Sequence, residues 1–239
     1  MEVVMFPDYH GFEESVNLQL GWLQNLPGGS RRTGVVHEPL PVSYFHDAIR
    51  FSNKAMDLGT FWDRISLEEH WGPANPYKKL YKFLVDAGYY LKPLDHTFSD
   101  RVDLSRDFKK LILDYRRLDN KGVPKEDLMN DFARLKRRLS FMREAVFAEV
   151  VDKIRYESAG RVVFIAHPSH LASCGSYFER TQGYDVKIQN IDDELTKRLG
   201  EEEDKLQMRF AEEKRILDMK NPPFVPAVAL AWNEVKFVW

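Results

Sequence analysis

The run Val162-Val163-Phe164-Ile165-Ala166 constrains this chain most. Its five apolar residues follow Gly160 and Arg161 and stop at His167-Pro168. A segment this short and β-branched reads as a strand, and its lack of any polar position means burial on both faces. Strands of that kind belong to parallel sheets covered by helices on both sides. The following residues agree with this. A small-residue stretch, a short helix around Tyr177 to Thr181 and a strand from Tyr184 to Ile191 are expected. Strand, helix, strand at this spacing implies a right-handed crossover and a parallel pair.

Earlier segments repeat the pattern. Val3-Val4-Met5-Phe6 reads as a strand stopped by Pro7, and Phe12, Val16, Leu20 and Leu23 recur at helical spacing behind acidic Glu13 and Glu14. Pro27-Gly28-Gly29 ends that helix. Gly34 to Glu38 is a second strand, ended by Pro39. Short helices are expected in the aromatic-rich stretch from Val42 to Trp71. A helix carrying Tyr77, Leu80, Tyr81, Leu84 and Val85 runs from Pro76 to Gly88. Tyr89 to Leu94 is a third strand, and its Pro93 is uncomfortable in a central position. Helices are expected from Leu104 to Leu118, from Leu128 to Ile154, and from Asp193 to Lys220. The last segment, Val225 to Trp239, is a possible edge strand. The fold class expected is therefore α/β: a mainly parallel central sheet flanked by helices, with a helical insertion and a C-terminal helical extension. Residues 1–191 form the core domain and 192–239 the extension.

Composition narrows the function classes. Of 239 residues, 44% are hydrophobic and 13% aromatic, enough for a core without disulfides or metal. A net charge of −2 leaves no electrostatic footprint for nucleic acid or an anionic membrane. The single cysteine, Cys174, excludes an internal disulfide and a cysteine-rich zinc site. No run reaches the ~18 apolar residues of a transmembrane helix, and Met1 to Phe6 meets charge and Pro7 too early for a signal peptide. A cytoplasmic location is the expectation.

Polar residues collect where strands end. Six of the seven histidines fall there or in adjacent loops: His10, His37, His70, His96, His167 and His170. Asp8, Glu38 and Asp95 accompany three of them. Open α/β sheets place ligands at the carboxyl ends of their strands, so residues remote in sequence can share one pocket there. Imidazoles with carboxylates can bind a divalent ion with an open position, or a histidine oriented by a carboxylate can serve as general base. Any single Asp-x-His can also simply cap the next helix; the joint placement at several strand ends favours a pocket. Pro168 interrupts His167-x-x-His170, so these two do not read as a helix-borne pair. Ser169 and Cys174 sit in no recognisable nucleophile elbow. No glycine-rich phosphate loop or dinucleotide fingerprint is present.

The order of these motifs resembles the superfamily that joins erythromycin esterases, ChaN-like haem-binding proteins and the TraB/Tiki proteins. A family opening of strand and Gly-Glu-x-His is similar to Pro7-Asp8-Tyr9-His10-Gly11, with Asp8 in the glutamate's place. A strand ending in glutamate looks like Glu38, and one ending in aspartate looks like Leu91 to Asp95. An arginine opening a long helix matches Arg143 in Met142-Arg143-Glu144-Ala145. A strand ending in Gly-x-x-His matches His167-Pro168-Ser169-His170, with His167 replacing the glycine. The resemblance spans roughly residues 1 to 191. It implies a pocket of Asp8, His10, Glu38, Asp95, Arg143 and His170, serving metal-dependent peptide hydrolysis in one branch, metal-free ester hydrolysis in another and haem binding in a third.

The function expected is a metal-dependent hydrolase of a peptide, ester or lactone bond. His10, Glu38 and His170 would hold Mn, Zn, Co or Fe, with Asp8 or His167 as a further ligand or base. Arg143 would stabilise developing negative charge and Asp95 would orient a histidine. Its partner would be a small-molecule or peptide substrate. Two other readings stand beside it. One is a haem- or iron-binding protein without turnover. The other is a non-catalytic protein that forms a homo-oligomer through the Leu128–Ile154 helix and the charged tail.

Overall fold

The computed structural model describes residues 1–26, 33–41, 44–65, 67, 74–95, 147, 150, 151, 154, 160–203 and 205. Its elements in chain order are β1 (Glu2–Pro7), α1 (Glu13–Gln24), β2 (Gly34–Pro41), α2 (Phe45–Ser52), α3 (Leu58–Ile65), α4 (Pro76–Asp86), β3 (Tyr90–Asp95), β4 (Arg161–Ala166), α5 (Pro168–Gln182) and β5 (Asp185–Ile188). Phe147, Val150, Val151 and Ile154 are helical, as are residues 193–203. The chain divides into two compact units, Met1–Thr97 with Arg143–Glu203, and Phe98–Met142 with Asp204–Trp239. Every element named here lies in the first.

The fold is α/β. The five strands form one sheet in the order β3-β2-β4-β1-β5, and each neighbouring pair is parallel. β4, the fully apolar run, sits at the centre, with Val162 to Ala166 all buried. β3 lies at an edge, where the missing N–H of Pro93 breaks no ladder on the outer side.

Alternation along the strands sorts side chains into two cores. Val4, Phe6, Val35, Leu91, Val163 and Ile165 pack with Val16, Phe51, Phe61, Tyr77 and Tyr81 on the face covered by α1 to α4. Val3, Met5, Val36, Val162 and Phe164 pack with Phe147, Val151, Leu171 and Phe178 on the other face. The chain thus leaves β1 and β2 through helices on one face and leaves β4 through α5 on the opposite face. Since β4 lies between β1 and β2, its carboxyl end is at the switch point where doubly wound sheets bind ligands.

Several elements differ from the sequence reading. β2 continues past Pro39 to Pro41, because a register shift between His37 and Pro41 takes up the residues that cannot follow the ladder. β5 is shorter than Tyr184 to Ile191, closing at Ile188. The largest difference is α5. It begins at Pro168 and runs through the small-residue stretch for 15 residues instead of starting near Tyr177. Proline at the first turn has its φ preset for a helix and lacks an N–H that would go unpaired there, so Pro168 starts this helix and does not interrupt it. The small residues let α5 lie close to the sheet. A Cβ at Gly175 would already touch Met5 and Ile188 at 3.4 Å. The expected helices from Leu104 to Leu118 and over 206–220, and the strand at Val225, lie outside the described residues, as does most of the Leu128–Ile154 helix. Among the described residues no helix is long and apolar enough to cross a membrane.

The central strand should dominate stability. Phe164 is fully buried and its ring packs edge-on against Phe147 and Phe178. Phe164→Ala is expected to cost about 3–5 kcal/mol in urea unfolding; a loss below about 1 kcal/mol would contradict the placement of β4 at the centre.

Candidate functional site

Register places the polar residues. Pro7 pairs with Ala166 and His37 with Ile165, so Asp8, Glu38 and His167 end up side by side toward the carboxyl ends of three neighbouring inner strands. The Asp8 N–H continues the ladder by donating to the Ala166 carbonyl at 2.9 Å. The Glu38 carboxylate accepts the His167 N–H at 2.7 Å.

Asp8 is wholly buried, and its carboxylate is met by five groups. Tyr77 Oη donates at 2.7 Å, and the imidazoles of His10 and His37 approach the same oxygen at 3.0 and 3.4 Å. Gln19 Nε2 and Ser15 Oγ donate to the other oxygen at 2.8 and 3.2 Å. Asp8 caps no helix: the N-cap of α1 is Phe12, which makes no side-chain cap bond. Burial by itself disfavours the Asp8 charge, yet the hydrogen bonds and charges of His10 and His37 hold its pKa well below the ordinary value. Tyr77 moves the other way. Burial, with the Asp8 charge beside it, raises the phenol well above its usual value, so it stays a donor.

This network fixes His10. Its Nδ1 faces Asp8, and its Nε2 points toward Glu38 Oε1 at 3.9 Å. His170, in the first turn of α5, points its Nε2 at the same oxygen from 3.5 Å. Two imidazole nitrogens thus converge on one carboxylate oxygen in a buried cluster, with Glu38 0% exposed, His170 5% and His10 8%. Burial lowers the His10 pKa, but the Asp8 hydrogen bond and the charges of Glu38, Asp8 and Glu203 outweigh that and raise it to about 9.

His167 stands next to this group, with its ring centroid 5.6 Å from that of His10 and 6.5 Å from that of His170. It is the more open imidazole, its side chain 30% exposed. It is also the N-cap of α5, accepting the Ser169 N–H on Nδ1. Its Nε2 lies 2.9 Å from Glu203 Oε2, and the other Glu203 oxygen accepts the His10 N–H at 2.8 Å.

Of the residues expected from sequence, Asp8, His10, Glu38, His167 and His170 come together. Asp95 ends β3 on the outer side of β2, and its side chain lies outside the described residues, as does all of Arg143. Four contributors have no signal in the sequence reading, and one of them, Ser15, is simply a polar residue of the α1 segment. Tyr77 reads in sequence only as part of an apolar helix stripe. Gln19 lies on the polar side of the α1 pattern. Glu203 is one acid in the run Glu201 to Asp204, in the segment set apart as an extension.

Imidazole and carboxylate are donor types that divalent ions take. Nitrogen and oxygen donors on a tetrahedral ion bonded at about 2.0–2.1 Å stand about 3.3 Å apart, a few tenths closer than the separations at Glu38. Asp8 on the far nitrogen of His10 is the carboxylate–histidine support that metal ligands use. Among the described residues no group of three or more His, Cys, Asp or Glu is placed so that it could hold a metal ion. No family model matches the chain, and neither curated proteins nor solved structures yield a match.

The His10 shift has a definite sign in stability. A folded pKa raised from 6.5 to about 9 contributes stability that is fully present below 6.5 and is lost as pH rises through about 9. The urea midpoint of ion-free protein should fall across that window, and the fall should be smaller in His10→Gln. Equal slopes in the two proteins would contradict the charge assigned to His10.

Proposed function

We propose that the chain is a metal-dependent hydrolase whose cleft lies at the carboxyl end of β4. The observation that carries this reading is the convergence of His10 Nε2 and His170 Nε2 on Glu38 Oε1, at 3.9 and 3.5 Å. His10, Glu38 and His170 would hold the ion, Mn, Zn, Co or Fe. Held there, it would act as a Lewis acid toward the oxygen of a scissile carbonyl.

The chain's own residues supply the rest. Asp8 holds the His10 ring by its Nδ1, so Nε2 keeps its aim on Glu38. The His167 N–H fixes the second Glu38 oxygen, leaving Oε1 directed at the two imidazoles. His167 is the proton carrier on the open side, because it is the most solvent-accessible of the three imidazoles and its Nε2 is engaged by Glu203. The bond cleaved is a peptide, ester or lactone bond.

Elemental analysis of protein purified without a histidine tag tests this. One ion per chain is expected after supplementation with Mn²⁺, Co²⁺ and Zn²⁺, absent in His10→Ala and His170→Ala. Asp8→Asn, which leaves the ligands in place, should weaken affinity about 10–100-fold. No bound ion in the supplemented wild type would overturn the reading.

A further inference from the structure

A second set of side chains beside the ion-binding residues has the connectivity of a serine nucleophile. Ser169 is exposed in the first turn of α5, and its Oγ lies 2.7 Å from His167 Nδ1. On the opposite side of that ring, Nε2 lies 2.9 Å from Glu203 Oε2. The tautomer follows from the neighbours. Nδ1 accepts the Ser169 N–H at 3.3 Å, so it carries no proton, and the ring proton sits on Nε2 facing the carboxylate. The Ser169 hydroxyl, the closer donor at 2.7 Å, shares that Nδ1 lone pair with the longer N–H contact at 3.3 Å. Serine, imidazole and acid in that order, with the acid setting the tautomer, is the arrangement that activates a hydroxyl for attack on a carbonyl.

Helix capping explains part of this geometry and not the rest. A cap needs only the Ser169 N–H on His167. It does not require Glu203, buried and 36 residues away in sequence, on the other nitrogen. Nor does it require the second Glu203 oxygen to be anchored by the His10 N–H at 2.8 Å. The place in the fold is also apt. Ser169 follows a central parallel strand and opens the next helix, which is where the strained strand-to-helix turn of other hydrolases puts its serine, here reached through His-Pro-Ser-His.

We infer that Ser169 is a covalent nucleophile for acyl transfer from a carboxylic ester or similarly activated acyl substrate, with His167 as its base and Glu203 as the positioning acid. Ser169 Oγ bonds to the acyl carbon while its proton passes to His167 Nδ1. The bond from carbon to the leaving oxygen breaks, and His167 returns the proton to that oxygen. Water then attacks the acyl carbon, giving a proton to His167; the bond from that carbon to Ser169 Oγ breaks, His167 returns the proton to Oγ, and the carboxylic acid leaves. This deepens the hydrolase reading and rests on it for the reaction class, but it does not depend on the ion.

A fluorophosphonate probe tests the assignment on the full chain. Peptide mapping after reaction should find the adduct on Ser169, both with Mn²⁺ and in EDTA. Ser169→Ala should abolish it. His167→Ala should slow labelling by about 100-fold or more, and Glu203→Gln should slow it while leaving the adduct at the same residue. Absence of a Ser169 adduct in the wild type under both conditions, or labelling unchanged in His167→Ala, would overturn the inference. Ion content measured on the same samples separates the two readings: an adduct without ion binding sinks only the metal site, and ion binding without an adduct sinks only the serine.

Discussion

Parallel pairing of β4 with β1 on one side and β2 on the other is the constraint on which the rest of this molecule depends. It brings residues 8, 38 and 167 together at the carboxyl end of the sheet although 30 and 129 positions separate them along the chain. The pairing is secured by apolar burial on both faces of β4, since Val163 and Ile165 belong to one core and Val162 and Phe164 to the other. Slipping the register by one residue would send each of those side chains to the wrong face. The same energetics that hold the centre of the sheet therefore hold the geometry at its end.

A buried charge is the second constraint. An ionised carboxylate with no access to water is costly unless its oxygens are well bonded, and Asp8 meets that demand with groups from α1, β2 and α4 as well as His10. Removing one donor leaves the others around a charge that is still buried. That makes the network stiff, and the stiffness is passed to His10, whose Nδ1 is one of the donors. Glu203 plays a similar part on the other side of the cleft, joining the His10 backbone to the His167 ring. Both acids thus act by holding imidazoles in place.

Much of this was legible in the residues. An uninterrupted apolar run can be satisfied only by burial on both faces, so the parallel sheet followed from Val162 to Ala166, and Pro93 spoke against a central place for β3. Strand ends followed from Pro7 and His167, and with them the convergence of Asp8, His10, Glu38, His167 and His170. Pro168 was misread because a proline after a strand has two meanings, a break or a first helical residue, and only packing against Met5 and Ile188 distinguishes them. Tyr77 was hidden because a tyrosine in an apolar stripe shows its ring and not the destination of its hydroxyl. Glu203 was hidden because nothing local separates it from Glu201 and Glu202; only the return of the 193–203 helix to the first strand's loop singles it out. Ser169 was set aside for want of an elbow sequence, whereas its partners come from the same helix cap and from that distant acid.

The central claim is spatial: His10, Glu38 and His170 share one point. A crystal structure of the protein soaked with Co²⁺, with anomalous data at the cobalt edge, addresses it most directly. A single strong peak is expected about 2.0–2.3 Å from His10 Nε2, His170 Nε2 and a Glu38 carboxylate oxygen. Side chains turned apart, or cobalt bound elsewhere with this pocket bare, would contradict it.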